Sequence, residues 1–190
     1  SMAGIGVAVM VLIVVLSVMN GFEHEVRNRI LKVVAHGSVT GLEGRLSDWE
    51  RLQAGAEANP AVAATAPYVE GQAMVVGPRS IRGVQLRGIE PAQERRTSAL
   101  DSLLEAGSLD DLRPGGYGLV IGRRLAEELG AGVGDRVIVM VPQGITTPAG
   151  TVPRTRRFTV TGIFNAGMYE YDRGLAFMQL GDAQRLLRMG

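Results

Sequence analysis

The chain has no cysteine. That absence excludes a disulfide framework, a thiol nucleophile and a cysteine-ligated zinc site, although it says little about compartment. Aromatic residues make up only 5% of the 190 positions, which argues against a base-stacking surface. No excess of one charge is present either. Twenty Lys and Arg balance 19 Asp and Glu, for a net charge of +1, so neither a nucleic-acid footprint nor an acidic tail is indicated. Histidine is scarce: His24 and His36 have no H-E-x-x-H or comparable spacing and read as exposed side chains, not metal ligands. No G-x-x-x-x-G-K-[ST] loop occurs, so this chain is not expected to hydrolyse ATP by itself. "GAGVGD" at 130–135 follows a helical pattern and precedes a strand. That is the reverse of a phosphate-cradling loop, and it reads as a turn. Neither a cofactor nor a repeat is implied.

What is present begins with a long apolar run. Ala3 to Met19, "AGIGVAVMVLIVVLSVM", carries no charge and one hydroxyl. As a helix it spans roughly 25 Å, close to the hydrocarbon core of a bilayer. It is apolar on every face, unlike an amphipathic core helix. A signal peptide would have a basic n-region and a small-residue cleavage site, and a buried soluble helix is the other rival. A transmembrane segment is the preferred reading. Beyond it, Phe22, Val26, Ile30 and Val33/Val34 recur at helical spacing with Glu23, Glu25, Arg27, Arg29 and Lys32 between them. The helix is therefore expected to continue as an amphipathic stalk, changing character at Asn20-Gly21. The flanking charges are mixed and do not set orientation.

Downstream, 36–41 reads as a short strand or turn. Ser47-Asp48-Trp49-Glu50 fits a capping box opening a helix to about Ala58. Residues 61–89 carry strong β signal around a Gly77-Pro78 turn. Residues 91–117 are polar and irregular, a short helix or loop and a subdomain boundary. Then follow a strand at 118–122, a helix from Arg123 to Leu129 with Gly130 as its C′ residue, strands at 136–141, 157–164 and 175–178, and a last helix from about Asp182. Strands without regular βαβ alternation make the soluble part α+β. The expected divisions are 3–34 for the membrane and stalk helix, 35–90 for a first α+β subdomain and 91–190 for a second, β-rich one. The closing helix with nothing after it reads as a C-terminal truncation.

Catalytic candidates are weak. Asp110/Asp111 and Glu170/Asp172 offer paired carboxylates, with Glu170 and Asp172 expected to share a strand face or a turn. No nucleophile stands beside an oriented base. The unusual feature is instead the connection "VPQGITTPAGTVPRTRRF", Val141–Phe158, between two strand patterns. It is far longer than the two to five residues a hairpin needs. Pro142, Pro148 and Pro153 stiffen it, each lowering the entropy of ordering by about 0.4–1 kcal/mol where its geometry fits. Ile145 and Val152 are its only large apolar residues. By strand parity Phe158, Val160 and Gly162 share a face that continues outward through Arg156 and Arg154.

Three stretches, "LSVMNGFEHEVRNRIL", "RPGGYGLVIGRRLAEELGAGVGDRVIVMVP" and "FTVTGIFNAGMYEYDRGLAFMQLGDAQRLL", resemble in content and order the permeases of the bacterial lipoprotein-releasing ABC transporter, the LolC/LolE type. The resemblance implies a MacB-like periplasmic core domain behind the first of four transmembrane helices in the inner membrane. The implied partners are a second permease subunit or a second copy, a cytoplasmic LolD-like ATPase, lipoprotein cargo, the bilayer and the periplasmic chaperone LolA. In LolC-type subunits a protruding hook loop captures the chaperone beside a basic pad. By position the implied hook and pad are Pro142, Gln143, Gly144, Ile145, Thr146, Thr147, Pro148, Ala149, Gly150, Thr151, Val152, Pro153, Arg154 and Arg156. A second basic pad position implied on the preceding strand is Ile138 here. Two alternatives stand beside this reading: a MacB-like or FtsX-like mechanotransmission permease with another partner, and a membrane-anchored hydrolase using Glu170, Asp172 or His36.

Overall fold

The apolar run at the start of the chain forms one helix, α1 (Met2–Val33). The computed structural model describes residues 2–33, 37–41, 46, 48–147 and 150–189, and of residues 2, 3, 23–33, 143–147 and 150–152 it describes the backbone alone. The helix passes through Asn20 and Gly21 without a break. Every side chain from Gly4 to Phe22 is exposed, and that stretch is long and apolar enough to cross a membrane. At about 1.5 Å per residue it covers roughly 28 Å.

A mixed α/β domain follows. Gly37–Gly41 is irregular where a strand or turn was expected, and His36 lies outside the described residues. Asp48 occupies the N-cap of α2 (Trp49–Glu57) without a side-chain hydrogen bond, and Ser47 lies outside the described residues. The β signal at 61–89 resolves into β1 (Tyr68–Val76) and β2 (Ile81–Ile89). Residues 61–67 form no strand. Their side chains are mostly alanine, and Pro67 lacks the N–H a ladder needs.

The stretch taken as irregular is more ordered than its polarity suggests. It holds α3 (Pro91–Thr97), with proline in the first turn where its missing N–H costs nothing. Two 3-10 turns (Leu100–Leu103 and Leu109–Asp111) flank a short strand, β3 (Leu104–Gly107). Then come β4 (Gly118–Gly122) and α4 (Arg123–Leu129), closed by Gly130 in the left-handed conformation at φ 66°. Next are β5 (Arg136–Thr147), β6 (Gly150–Phe164), α5 (Tyr169–Gly174), β7 (Leu175–Gln179) and α6 (Leu180–Leu187).

The seven strands form one sheet in the order β3-β6-β4-β7-β2-β1-β5, and β5 pairs back onto β6. The pairings therefore close into a ring of six. The long β6 makes this closure. Its first part pairs with β5 up to Arg136↔Thr159, and β3 takes over the same edge at Gly107↔Gly162. β1 and β2, from the expected first subdomain, thus share a sheet with strands of the second, and the irregular stretch between them does not divide it. β4 and β7 are buried along their whole length. Leu119, Ile121, Ala176 and Met178 face the larger core with Phe158, Val160, Leu125 and Ala183. Val120, Leu175 and Phe177 face a smaller core with Ile89, Leu100, Leu109, Leu112 and Phe164. Strands covered on both faces read as continuous apolar runs, which is how Leu119–Ile121 and Leu175–Met178 read.

One carboxylate ties three elements together. Glu128 on α4 accepts from Arg82 of β2 and, at 2.9 Å, from Arg173 of α5. The hydrogen bond from Arg82 foremost, with Arg173 beside it, holds the Glu128 carboxyl below the usual glutamate range against the opposing effect of desolvation.

Candidate partner-binding ribbon

The connection between the 136–141 and 157–164 strands is not a loop. β5 and β6 continue along it as a two-stranded ribbon, pairing Ile145↔Val152, Thr146↔Thr151 and Thr147↔Gly150. Only Pro148 and Ala149 separate the paired ends, and these two lie outside the described residues. The β-branched run Ile145-Thr146-Thr147 against Thr151-Val152 favours extended pairing, a signal that the three prolines concealed. The prolines have their own place. The register shifts by two between Val141↔Arg154 and Ile145↔Val152, leaving Pro142–Gly144 opposite Pro153 alone. Neither proline can donate to a ladder, so the pairing breaks where they sit and resumes beyond them.

Val141 is fully buried, whereas Pro142 and Pro153 are exposed. Beyond the Val141↔Arg154 pair the two strands pair only with each other among the described residues. From there to Thr147 the ribbon extends on the order of 20 Å, at about 3.3 Å per residue. Of the implied hook residues, Gln143 to Val152 are placed on this ribbon by backbone register only, except Pro148 and Ala149.

The two implied basic residues lie at its base, on the face predicted by parity. Phe158 and Val160 are buried, and Arg156 and Arg154 continue their row outward. The Arg156 guanidinium lies 4.0 Å from the Tyr117 ring centre, and that ring meets Phe158 edge-on at 5.5 Å. The basic residue is thereby stacked on the end of the core, a cation–π contact worth about 0.5–1 kcal/mol at an exposed site. Arg154 is half-buried and donates to the Arg185 carbonyl at the end of α6, at 3.5 Å.

Tyr117 is held in place from a distance. Its φ is +49°, a left-handed conformation uncommon outside glycine. Its N–H donates to Asp182 Oδ2 at 3.1 Å, and the Gly115 N–H donates to Oδ1 at 2.9 Å. Asp182 is fully buried at the start of α6 and also accepts from Arg185 at 3.2 Å.

The opposite face of the ribbon's base differs. Ile138, at the implied second pad position, points outward and is 38% exposed. Met74 and Ile81 on the adjoining strands are also exposed. Directly across from Ile138 stands exposed Arg157. Sequence reasoning missed Arg157, and it missed Tyr117, Asp182 and Arg185, which reach the site only through tertiary contacts.

The weaker catalytic candidates do not assemble. Glu170 and Asp172 sit on the helix α5, not on a strand or turn as expected. Glu170 is exposed, whereas Asp172 is buried and accepts from the Ala166 N–H at 2.6 Å. Asp110 pairs with Arg95 at 2.9 Å. The His24 side chain and His36 lie outside the described residues.

With this geometry in view, the model of the MacB-like periplasmic core domain family matches residues 1–189. The chain belongs to that family. It is 45% identical over 189 residues to the lipoprotein-releasing system transmembrane protein LolC of Xylella fastidiosa, and 44% to that of Neisseria meningitidis. It is 31% identical over 192 residues to the LolE protein of Haemophilus influenzae. These matches take in 98–100% of this chain but only 45–46% of each relative, so the chain spans about half their length. The extracellular domain of the noncanonic ABC-type transporter YknZ from Gram-positive bacteria has the same fold. The TM-score is 0.51 at 14% identity, over 73% of this chain and 66% of that one. The MacB-like core thus follows an apolar helix in this chain, as the sequence resemblance implied.

Proposed function

We propose that this MacB-like core domain is the periplasmic part of an inner-membrane ABC permease that releases lipoproteins, and that the β5–β6 ribbon is the hook that captures their periplasmic chaperone. The observation that carries this reading is the ribbon itself. Beyond the buried Val141, the two strands pair only with each other among the described residues, and arginines stand at the root of this paired element. Such a ribbon is pre-ordered, so little entropy is lost when a partner closes around it. Ile145 and Val152, paired across the ribbon, would act as its apolar anchors. The 45% identity to LolC supports the same reading.

In this reading the chain hydrolyses nothing. A LolD-like ATPase works through segments outside this chain, with a second permease subunit or a second copy beside it. The helix α1, unbroken at Asn20-Gly21, carries the motion between the bilayer and the periplasmic side, where the lipoprotein cargo is handed over.

The test is binding of the whole chain, in non-ionic detergent, to a LolA-type chaperone, with and without residues 144–150 shortened to a tight turn. Binding by the intact chain that is lost on shortening, with the Tm unchanged, is the expected result. No binding by the intact chain would overturn the reading and favour a MacB-like or FtsX-like permease with another partner.

A further inference from the structure

Tyr117 stands immediately before β4 and beside the root of the ribbon, and both its backbone and its ring are held. Its N–H donates to Asp182 Oδ2 at 3.1 Å, and its carbonyl accepts from the Thr159 N–H of β6 at 3.0 Å. Its ring and that of Phe158 meet edge to face at 5.5 Å. Over the ring lies Arg156, its guanidinium 4.0 Å from the ring centre. This arrangement is built on a left-handed backbone, at φ 49°. An aromatic residue adopts that conformation only where its surroundings enforce it, and such strain gathers at functional sites. The enforcing carboxylate, Asp182, is itself fully buried.

Two other guanidinium groups sit over tyrosines, Arg87 over Tyr68 at 4.9 Å and Arg173 over Tyr169 at 5.8 Å. Both hold carboxylates of this chain, Glu70 and Glu128, each at 2.9 Å. Arg156 lies closer to its ring, and no carboxylate among the described residues pairs with it. The N–H donors of a guanidinium lie in its plane, so a group drawn onto a ring keeps them for an acceptor alongside.

We infer that Tyr117 is a positioning residue for partner recognition: it holds Arg156 on its ring so that the guanidinium donors meet a carboxylate of the protein that the ribbon engages. The inference rests on the chaperone reading for the identity of that protein. Freezing a long, rotamer-rich side chain on binding lowers affinity by roughly two- to tenfold, and a stacked arginine is ordered beforehand. The stack itself favours the ordered form about two- to fivefold at an exposed site, and more than about tenfold once a partner strips water from it. A tyrosine that merely caps the core has a different signature. Its loss lowers Tm, and any loss of binding is the same whether or not Arg156 is present.

The test is a double-mutant cycle, read by calorimetry of binding between the whole chain in non-ionic detergent and a LolA-type chaperone. Tyr117→Leu is expected to weaken binding at least about fivefold alone, but less than about twofold in the Arg156→Gln background. Tyr117→Phe keeps the ring face and is expected to stay within about twofold of the unaltered chain. Because Tyr117→Leu also removes the contact with Phe158, a second variant keeps the test independent of folding. Arg156→Lys alters only an exposed side chain. It replaces a planar fork with a point charge, and is expected to lose about threefold or more with Tm unchanged. In the chain alone, the Arg156 side-chain protons are expected upfield in the NMR spectrum through the Tyr117 ring current. They return to the ordinary arginine position in Tyr117→Leu but not in Tyr117→Phe.

Equal weakening by Tyr117→Leu in the two backgrounds overturns the inference, as does unchanged binding by Arg156→Lys. So does a loss in Tyr117→Phe as large as that in Tyr117→Leu, or Arg156 protons at the ordinary position in the unaltered chain. The chaperone reading survives each of these results as long as shortening residues 144–150 still abolishes binding. If the intact chain binds no chaperone, the chaperone reading fails and the inference falls with it.

Discussion

Removing the Asp182 carboxylate is expected to loosen the root of the ribbon without touching the ribbon itself. In Asp182→Ala the N–H groups of Gly115 and Tyr117 lose the side-chain acceptor that stands 2.9 and 3.1 Å from them. A hydrogen bond to a charged acceptor contributes about 1.5–3 kcal/mol when well buried. Both N–H groups are only partly buried, so about 1–2 kcal/mol each is appropriate. The ion pair with Arg185 adds little, since that arginine is 64% exposed. The sum is about 2–4 kcal/mol. For a chain of this size each kcal/mol moves Tm by roughly 2–4 °C, so a fall of roughly 5–15 °C is expected by calorimetry in non-ionic detergent. Asp182→Asn keeps one oxygen but turns an amide donor toward the other N–H, and is expected to lose about half as much. Hydrogen exchange at Tyr117 and Gly115 is expected to accelerate in both variants before the core amides of β4 do. Tyr117, whose left-handed backbone Asp182 holds, carries the stacked Arg156, so the variant also loosens the basic root. A Tm within about 1 °C of the unaltered chain in both variants, with Tyr117 still protected, would refute the argument that this carboxylate fixes the turn.

Two further outcomes separate packing from electrostatics. A methyl group at Gly88 on β2 would lie 2.3 Å from the Ala183 Cβ of α6, whereas at Gly83 on the same strand it would meet nothing within 4 Å. Gly88→Ala is therefore expected to cost about 1–3 kcal/mol by pushing α6 off the sheet. Gly83→Ala is expected to be neutral or slightly stabilising, and urea denaturation of the pair checks both. Glu128 titrates below its usual value near 4.5 when folded. Its contribution is therefore complete above the unfolded value and is lost as pH falls through the lower, folded one. The stability gap between the unaltered chain and Glu128→Gln is expected to be constant at neutral pH and to close as the pH drops below about 4.5. A gap that widens in acid would reverse the sign of the argument.

Several elements were legible from sequence because their causes are local. An uncharged run as long as Ala3–Met19 is helical and apolar on all sides whatever follows it. Leu119–Ile121 reads as a covered strand from composition alone, and Gly130 marks the end of α4 because only glycine takes φ 66° without strain. The face shared by Phe158, Val160, Arg156 and Arg154 follows from the two-residue period of any strand.

Other features were decided only by the tertiary structure. β3 has four residues and no alternation, and it exists because β6 outlasts β5 and leaves an edge to be paired. The ribbon was hidden because proline signals an interruption, and nothing local reveals that pairing resumes beyond it. Asp182 reaches Tyr117 across 65 positions, and Glu128 joins Arg82 and Arg173 from 46 and 45 positions away. The contact of Arg154 with the Arg185 carbonyl likewise needs β6 and α6 side by side. A hydrophobic period or a turn residue is written within a few neighbours, whereas a charge partner or a sheet edge is set by which distant segments the closed ring of strands brings together.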